Sequence, residues 1–102
     1  QAPIPHLAAA FQEAVVDVLA EKTVQAAAAY QAKAILLAGG VSANQRLREE
    51  VKARAGDIPV YYPPIFLCTD NAAMIGAAAY YRFQAGQRDG WEMDVIPNLR
   101  LA

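Results

Sequence analysis

Two short segments of this chain carry side chains suited to chemistry. The first, Gly39-Gly40-Val41-Ser42-Ala43-Asn44, follows an apolar run and precedes a helical pattern. Glycines let a backbone approach a ligand with no Cβ in the way, and a helix N-terminus offers N–H groups to an anion. The Asn44 carboxamide can both donate and accept, toward a ribose, a base edge or a carboxylate. No Gly-Lys-Ser/Thr follows, so this is not a P-loop. The plainer reading is a tight strand-to-helix turn with Ser42 as an ordinary cap. The second segment, Cys68-Thr69-Asp70-Asn71-Ala72-Ala73-Met74, sets a carboxylate at a helix start. Asp70 is a good hard ligand for a metal cation and a usable base, but Thr69 or Asp70 could equally cap the helix. Cys68 has no neighbouring His to activate it and reads as a small buried hydrophobe. A catalytic metal centre takes about three protein ligands, usually including His. The one His here, His6, lies far off at the amino end as a surface group, so a metal held by Asp70 needs ligands from elsewhere.

The elements that position these segments alternate. From His6 to about Tyr30 the spacing of Leu7, Phe11, Val15, Val18 and Leu19 predicts an amphipathic helix buried on that face, with Pro5 just before it and Ala26–Ala29 packing closely at its end. Ala34–Ala38 is too short for a helix and predicts a strand buried on both faces, as in a parallel sheet. Ser42 and Gln45 have the spacing of a capping box opening a second helix to about Ala55. Leu47 and Val51 mark its inner face, and Arg46, Arg48, Glu49, Glu50 and Lys52 its solvated one. Ile58–Tyr62 predicts a second strand, stopped by Pro63-Pro64, and Ile65–Cys68 a buried loop. A third helix runs past Met74, Ile75, Ala78 and Tyr81 to Gly86, and the tail, with Trp91, Val95, Ile96, Leu99 and Leu101, is an extended segment packing back. This order predicts an α/β fold: an incomplete parallel sheet flanked by helices, part of a larger sheet because two strands do not stand alone.

Taken together, Leu37-Ala38-Gly39-Gly40-Val41-Ser42-Ala43-Asn44, then Leu47-Arg48, Pro63-Pro64 and Leu67–Ile75, resemble the tRNA N6-threonylcarbamoyladenosine transferase family, once labelled O-sialoglycoprotein endopeptidase. Ala9–Asp17 resembles the family's helix before the glycine motif. The resemblance implies an actin-like, Hsp70-like (ASKHA) fold of two lobes, with residues 1–102 forming the carboxyl-terminal part. It implies transfer of a threonylcarbamoyl group from threonylcarbamoyl-AMP to N6 of the adenosine beside the anticodon in tRNAs reading ANN codons. By the same resemblance, Asn44 with Gly39, Gly40 and Ser42 holds the adenylate moiety. Asp70 would bind one divalent metal ion, Fe2+ or Zn2+, completed by histidines of an HxxxH motif that this chain lacks. Partners would be tRNA and helper subunits in the cytoplasm. With the HxxxH motif and the other lobe absent, the chain is expected to be a piece of the enzyme, inactive alone and prone to self-association.

Composition narrows the field without naming a function. Nine Lys+Arg against ten Asp+Glu give a net charge of -1, so nothing marks a free-standing nucleic-acid binder. A single Cys rules out an internal disulfide and fits a reducing compartment. No apolar run reaches the roughly 18 residues of a membrane span, and the start lacks a signal-peptide pattern. Much of the 56% hydrophobic content is alanine, which predicts a thin core. Two alternatives remain at this level: another actin-like enzyme, such as a sugar kinase or carbamoyltransferase, and a non-catalytic scaffold paralogue. A peptidase is disfavoured, for no HExxH helix is present.

Overall fold

The computed structural model describes residues 3–100. Helix α1 spans Ile4–Ala29, strand β1 Ile35–Leu36, helix α2 Gln45–Arg54, strand β2 Val60–Tyr61 and helix α3 Ala72–Gln84, with single 3-10 turns at Gly40–Ala43 and Ile65–Leu67. β1 and β2 pair in parallel, Ile35 opposite Val60 and Leu36 opposite Tyr61. The α/β class and the parallel sheet are thus as the alternation predicted. The chain divides into two compact units, one ending at Asp70 and the other beginning at Asn71. No helix among the described residues is long and apolar enough to cross a membrane.

In the first unit, α1 begins at Ile4, with Pro5 inside its first turn rather than before it. It closes in a Schellman arrangement: Gln31 takes φ 51°, Ala32 N–H donates to Ala27 and Gln31 N–H to Ala28. The core joins Val16, Ala20 and Ala27 of α1 to Ile35, Leu47, Val51 and Ala55. It is thin, because four of its seven residues are Ala or a lone β1 residue, and only Val51 is large and wholly enclosed. The rim of the α1–α2 contact is charged. Arg46 bridges Glu13 and Glu50, and Arg54 bridges Asp17, Glu21 and Glu50.

Several expectations are corrected here. The large stripe of α1 is not the buried one: Leu7, Phe11, Val15, Val18 and Leu19 are all exposed, Phe11 by 72%. The small stripe Val16–Ala20–Ala27 wins because short side chains let α1 approach α2 closely, and of the Ala26–Ala29 run only Ala27 is buried. β1 is buried on one face only, since Leu36 is 79% exposed. Ile65 and Phe66 are exposed on their 3-10 turn instead of filling a buried loop.

The second unit holds α3 and the tail. The α3 cap is Asn71, whose Oδ1 accepts from Met74 N–H at 3.0 Å, not Thr69 or Asp70. Gly86 at φ 82° ends the helix, as the sequence predicted, with Gln87 N–H donating to Arg82. No residue of α3 is buried, Met74, Ile75 and Tyr81 included. The tail is irregular, and Trp91, Val95, Ile96 and Leu99 are exposed rather than packed back; Leu101 lies outside the described residues. Its local anchor is Arg88, whose guanidinium sits 3.6 Å from the Phe83 ring centre.

Candidate functional site

The glycine segment leaves the carboxyl end of β1 and turns once before α2, the place where open α/β sheets bind ligands. Gly39 sits at φ 86°, a left-handed conformation that favours glycine at this bend. Gly40 has no positive φ, and a Cβ there would meet open space. The fold therefore explains Gly39 but makes no demand for glycine at Gly40.

The 3-10 turn inserted at Gly40–Ala43 shifts the helix cap by two residues. Ser42 does not form the expected capping box. Its Oγ turns back to donate to Gly39 O at 2.6 Å, and the residue is buried, so its hydroxyl holds the turn's shape. The turn also spends two backbone donors internally, Ser42 N–H on Gly39 and Asn44 N–H on Val41. Asn44 is the actual cap of α2: its Oδ1 accepts from Leu47 N–H at 2.9 Å. Its Nδ2 donates to Gln12 Oε1 of α1 at 3.0 Å. The amide orientation is therefore fixed from both ends. The oxygen is committed to the helix, and one Nδ2 hydrogen remains for a ligand's acceptor. Asn44 and Gln12 are the polar groups of a cleft of about 220 Å3, otherwise walled by Phe11, Val15, Val16, Leu19, Val41 and Leu47.

Asp70 is exposed at the end of the first unit and does not line that cleft. Among the described residues no three His, Cys, Asp or Glu side chains converge to hold a metal ion. The residues present do not make a metal site by themselves; Asp70 offers one carboxylate. His6 is exposed on α1.

Two residues that the sequence reading passed over prove central to this geometry. Gln12 orients Asn44. Arg48, expected on the solvated face, is instead only 9% exposed. Its Nε donates to Ser42 O and its Nη2 to Pro63 O at 3.1 Å and to Cys68 Sγ at 2.9 Å. Cys68 is buried as expected, yet as a hydrogen-bond acceptor rather than a plain hydrophobe. The missed signal was spacing: Leu47, Arg48, Val51 and Ala55 form one helical stripe with a charge in it.

Residues 2–77 match the sequence profile of a family described as tRNA N6-adenosine threonylcarbamoyltransferase. Curated relatives with that name include proteins of Dehalococcoides mccartyi strain BAV1, 53% identical over 94 residues, and Thermomicrobium roseum, 54% identical over 99. A third, from Listeria monocytogenes serotype 4b, is 50% identical over 104 aligned residues. These alignments cover 92%, 97% and 97% of this chain but only 28%, 27% and 30% of the relatives. The chain thus spans less than a third of their length.

Proposed function

The chain belongs to the tRNA N6-adenosine threonylcarbamoyltransferase family, and from that premise we propose that it forms one wall of a nucleotide site in a full-length enzyme of that activity. The whole enzyme would move a threonylcarbamoyl group from threonylcarbamoyl-AMP to N6 of the adenosine beside the anticodon of ANN-reading tRNAs. Residues 1–102 would be the carboxyl-terminal part of its two-lobed, actin-like fold. Gly39 and Gly40 bring the backbone up to the adenylate moiety, Ser42 holds the turn, and Asn44 donates its remaining N–H. A glycine at position 40 that the fold does not need supports this reading, since close approach by a ligand supplies a reason for it. Asp70 would give one ligand to a divalent Fe2+ or Zn2+ ion, the histidines coming from outside these residues. The enzyme would work in the cytoplasm with helper subunits. The isolated chain does not catalyse the transfer, and it self-associates through the exposed Leu7–Phe11–Val18 face of α1.

The observation that carries the proposal is Asn44, whose oxygen caps α2 and whose nitrogen bonds Gln12, the two side chains lining one cleft beside the turn that leaves β1. Cap and ligand roles separate by substitution. Asn44→Asp keeps a capping oxygen and loses the donor, so α2 stays intact. In a full-length relative with this chain in place of its matching segment, N44D should leave Tm nearly unchanged. It should raise KM for threonylcarbamoyl-AMP roughly tenfold or more, as losing a hydrogen bond to a charged ligand costs about 1.5–3 kcal/mol. Unchanged kinetics in N44D would overturn the nucleotide role; a scaffold paralogue would give no transfer with any variant.

A further inference from the structure

Burying a guanidinium is costly unless every face finds a partner. Among the described residues, no carboxylate pairs with Arg48. Its charge is met by the Ser42 and Pro63 carbonyls, the Cys68 thiol and the face of Tyr62, whose ring centre lies 4.5 Å from the guanidinium carbon. These partners come from two different places in the chain. Ser42 belongs to the glycine turn, two residues before Asn44. Pro63 and Cys68 belong to the segment after β2, and Cys68 stands two residues before Asp70. One planar cation thus bonds both segments that carry the candidate site residues. A neutral core residue at this position would fill space but tie nothing. A lysine would bring the charge without the planar guanidinium whose Nε–H reaches one carbonyl while Nη2 reaches a second carbonyl and the sulfur.

We propose that Arg48 is a positioning residue, which fixes the glycine turn and the Pro63–Cys68 segment relative to each other so that the two strand ends meet the nucleotide as one surface. This rests on the nucleotide role proposed for Asn44. Cys68 takes part as the acceptor on the far side of the tie, which gives the buried thiol a task that needs neither nucleophilicity nor redox change.

The test uses the same full-length protein. In Arg48→Lys, measured well below its Tm, KM for threonylcarbamoyl-AMP should rise about 10–100-fold, the range typical of lost outer contacts around a site. Amide hydrogen exchange should quicken together at residues 39–44 and 65–68 while the middle of α1 keeps its protection. A lowered Tm with KM and exchange unchanged would overturn the proposal and leave Arg48 as packing. Should R48K not fold, Cys68→Ala removes one acceptor with little change of volume. It should move KM and exchange the same way, more weakly, and Cys68→Ser should restore both because a hydroxyl still accepts. Equal behaviour of C68A and C68S would overturn the proposal. N44D, run beside them, keeps the two ideas apart: KM raised in N44D but not in R48K sinks the Arg48 role alone, and KM unmoved in N44D sinks the nucleotide role itself.

Discussion

The two units of this chain are alike in their apolar content and opposite in what they do with it. In the first, α1, α2 and the β pair enclose seven core residues. In the second, a 13-residue helix rich in Ala, Met, Ile, Tyr and Phe buries none of its side chains. The difference does not lie in local propensity, since both helices are capped by an Asn and closed near a left-handed Gly. It lies in partners. α2 has Leu47 and Val51 set against Val16, Ala20 and Ile35, whereas α3 keeps its form on caps and backbone bonds. A helix of that length is marginal on those alone. Local signals therefore shape both units, and packing stabilises one.

The sharpest way to break this contrast is to put a charge into each helix of the 102-residue chain. Val51→Asp places an unpaired carboxylate at a position of 0% exposure and should cost about 4 kcal/mol, enough to unfold the first unit. Ile75→Asp, at an exposed site on α3, should change stability by less than about 0.5 kcal/mol. Urea denaturation followed by circular dichroism reads both, and equal costs would show that α3 has a packed face.

A smaller, symmetrical perturbation sharpens it. Asn44→Ala and Asn71→Ala each remove a cap hydrogen bond worth about 1 kcal/mol to the helix concerned, and Asn44→Ala also removes the bond to Gln12. In the first unit that loss is spread over a cooperative core, so α2 amide protection should fall without the helix melting. In the second no buried residue of the helix shares it, and the α3 signals should shift toward coil. Hydrogen exchange of both helices by NMR checks the pair; the same response in both would erase the distinction.

The same contrast explains what could be read in advance. The apolar run ending at Gly39-Gly40, the break at Gly56 and the stop at Gly86 place the strand, the second helix and the third, because glycine and a change of period are local signals. The α1 face was misread because large apolar residues dominate a periodicity argument, while the packed stripe consists of Val16 and two alanines. Whether a stripe is buried depends on which neighbour arrives, and that is not a local property. The glycine turn was legible as a strand-to-helix turn, but its cap was not, for a 3-10 turn moved the role from Ser42 to Asn44. Arg48 escaped because a charge is assumed to seek water. The acceptors supplied by Pro63 and Cys68, distant in sequence, join the Ser42 carbonyl and the Tyr62 face in making its burial tolerable.

The smallest effect expected is also specific to one unit. Glu50 accepts from Arg54 and Arg46, each at 2.6 Å, and these two guanidiniums hold its carboxyl below the usual carboxylate range. A carboxyl with a lower pKa folded than unfolded contributes stability that is complete above its unfolded value and is lost as pH falls through the folded one. Acid should therefore loosen the Arg46–Glu50–Arg54 network of α2 before it touches α3, which has no ion pair among the described residues. The effect is modest because these groups stand near water, and added salt should shrink it further. Comparing urea midpoints at neutral pH and below the carboxylate range, the first unit should lose stability on acidification. Glu50→Gln should be weaker at neutral pH and lose less between the two. An acid response of the same size in E50Q would place the sensitivity outside Glu50, and the contrast between the units would then not rest on that carboxylate.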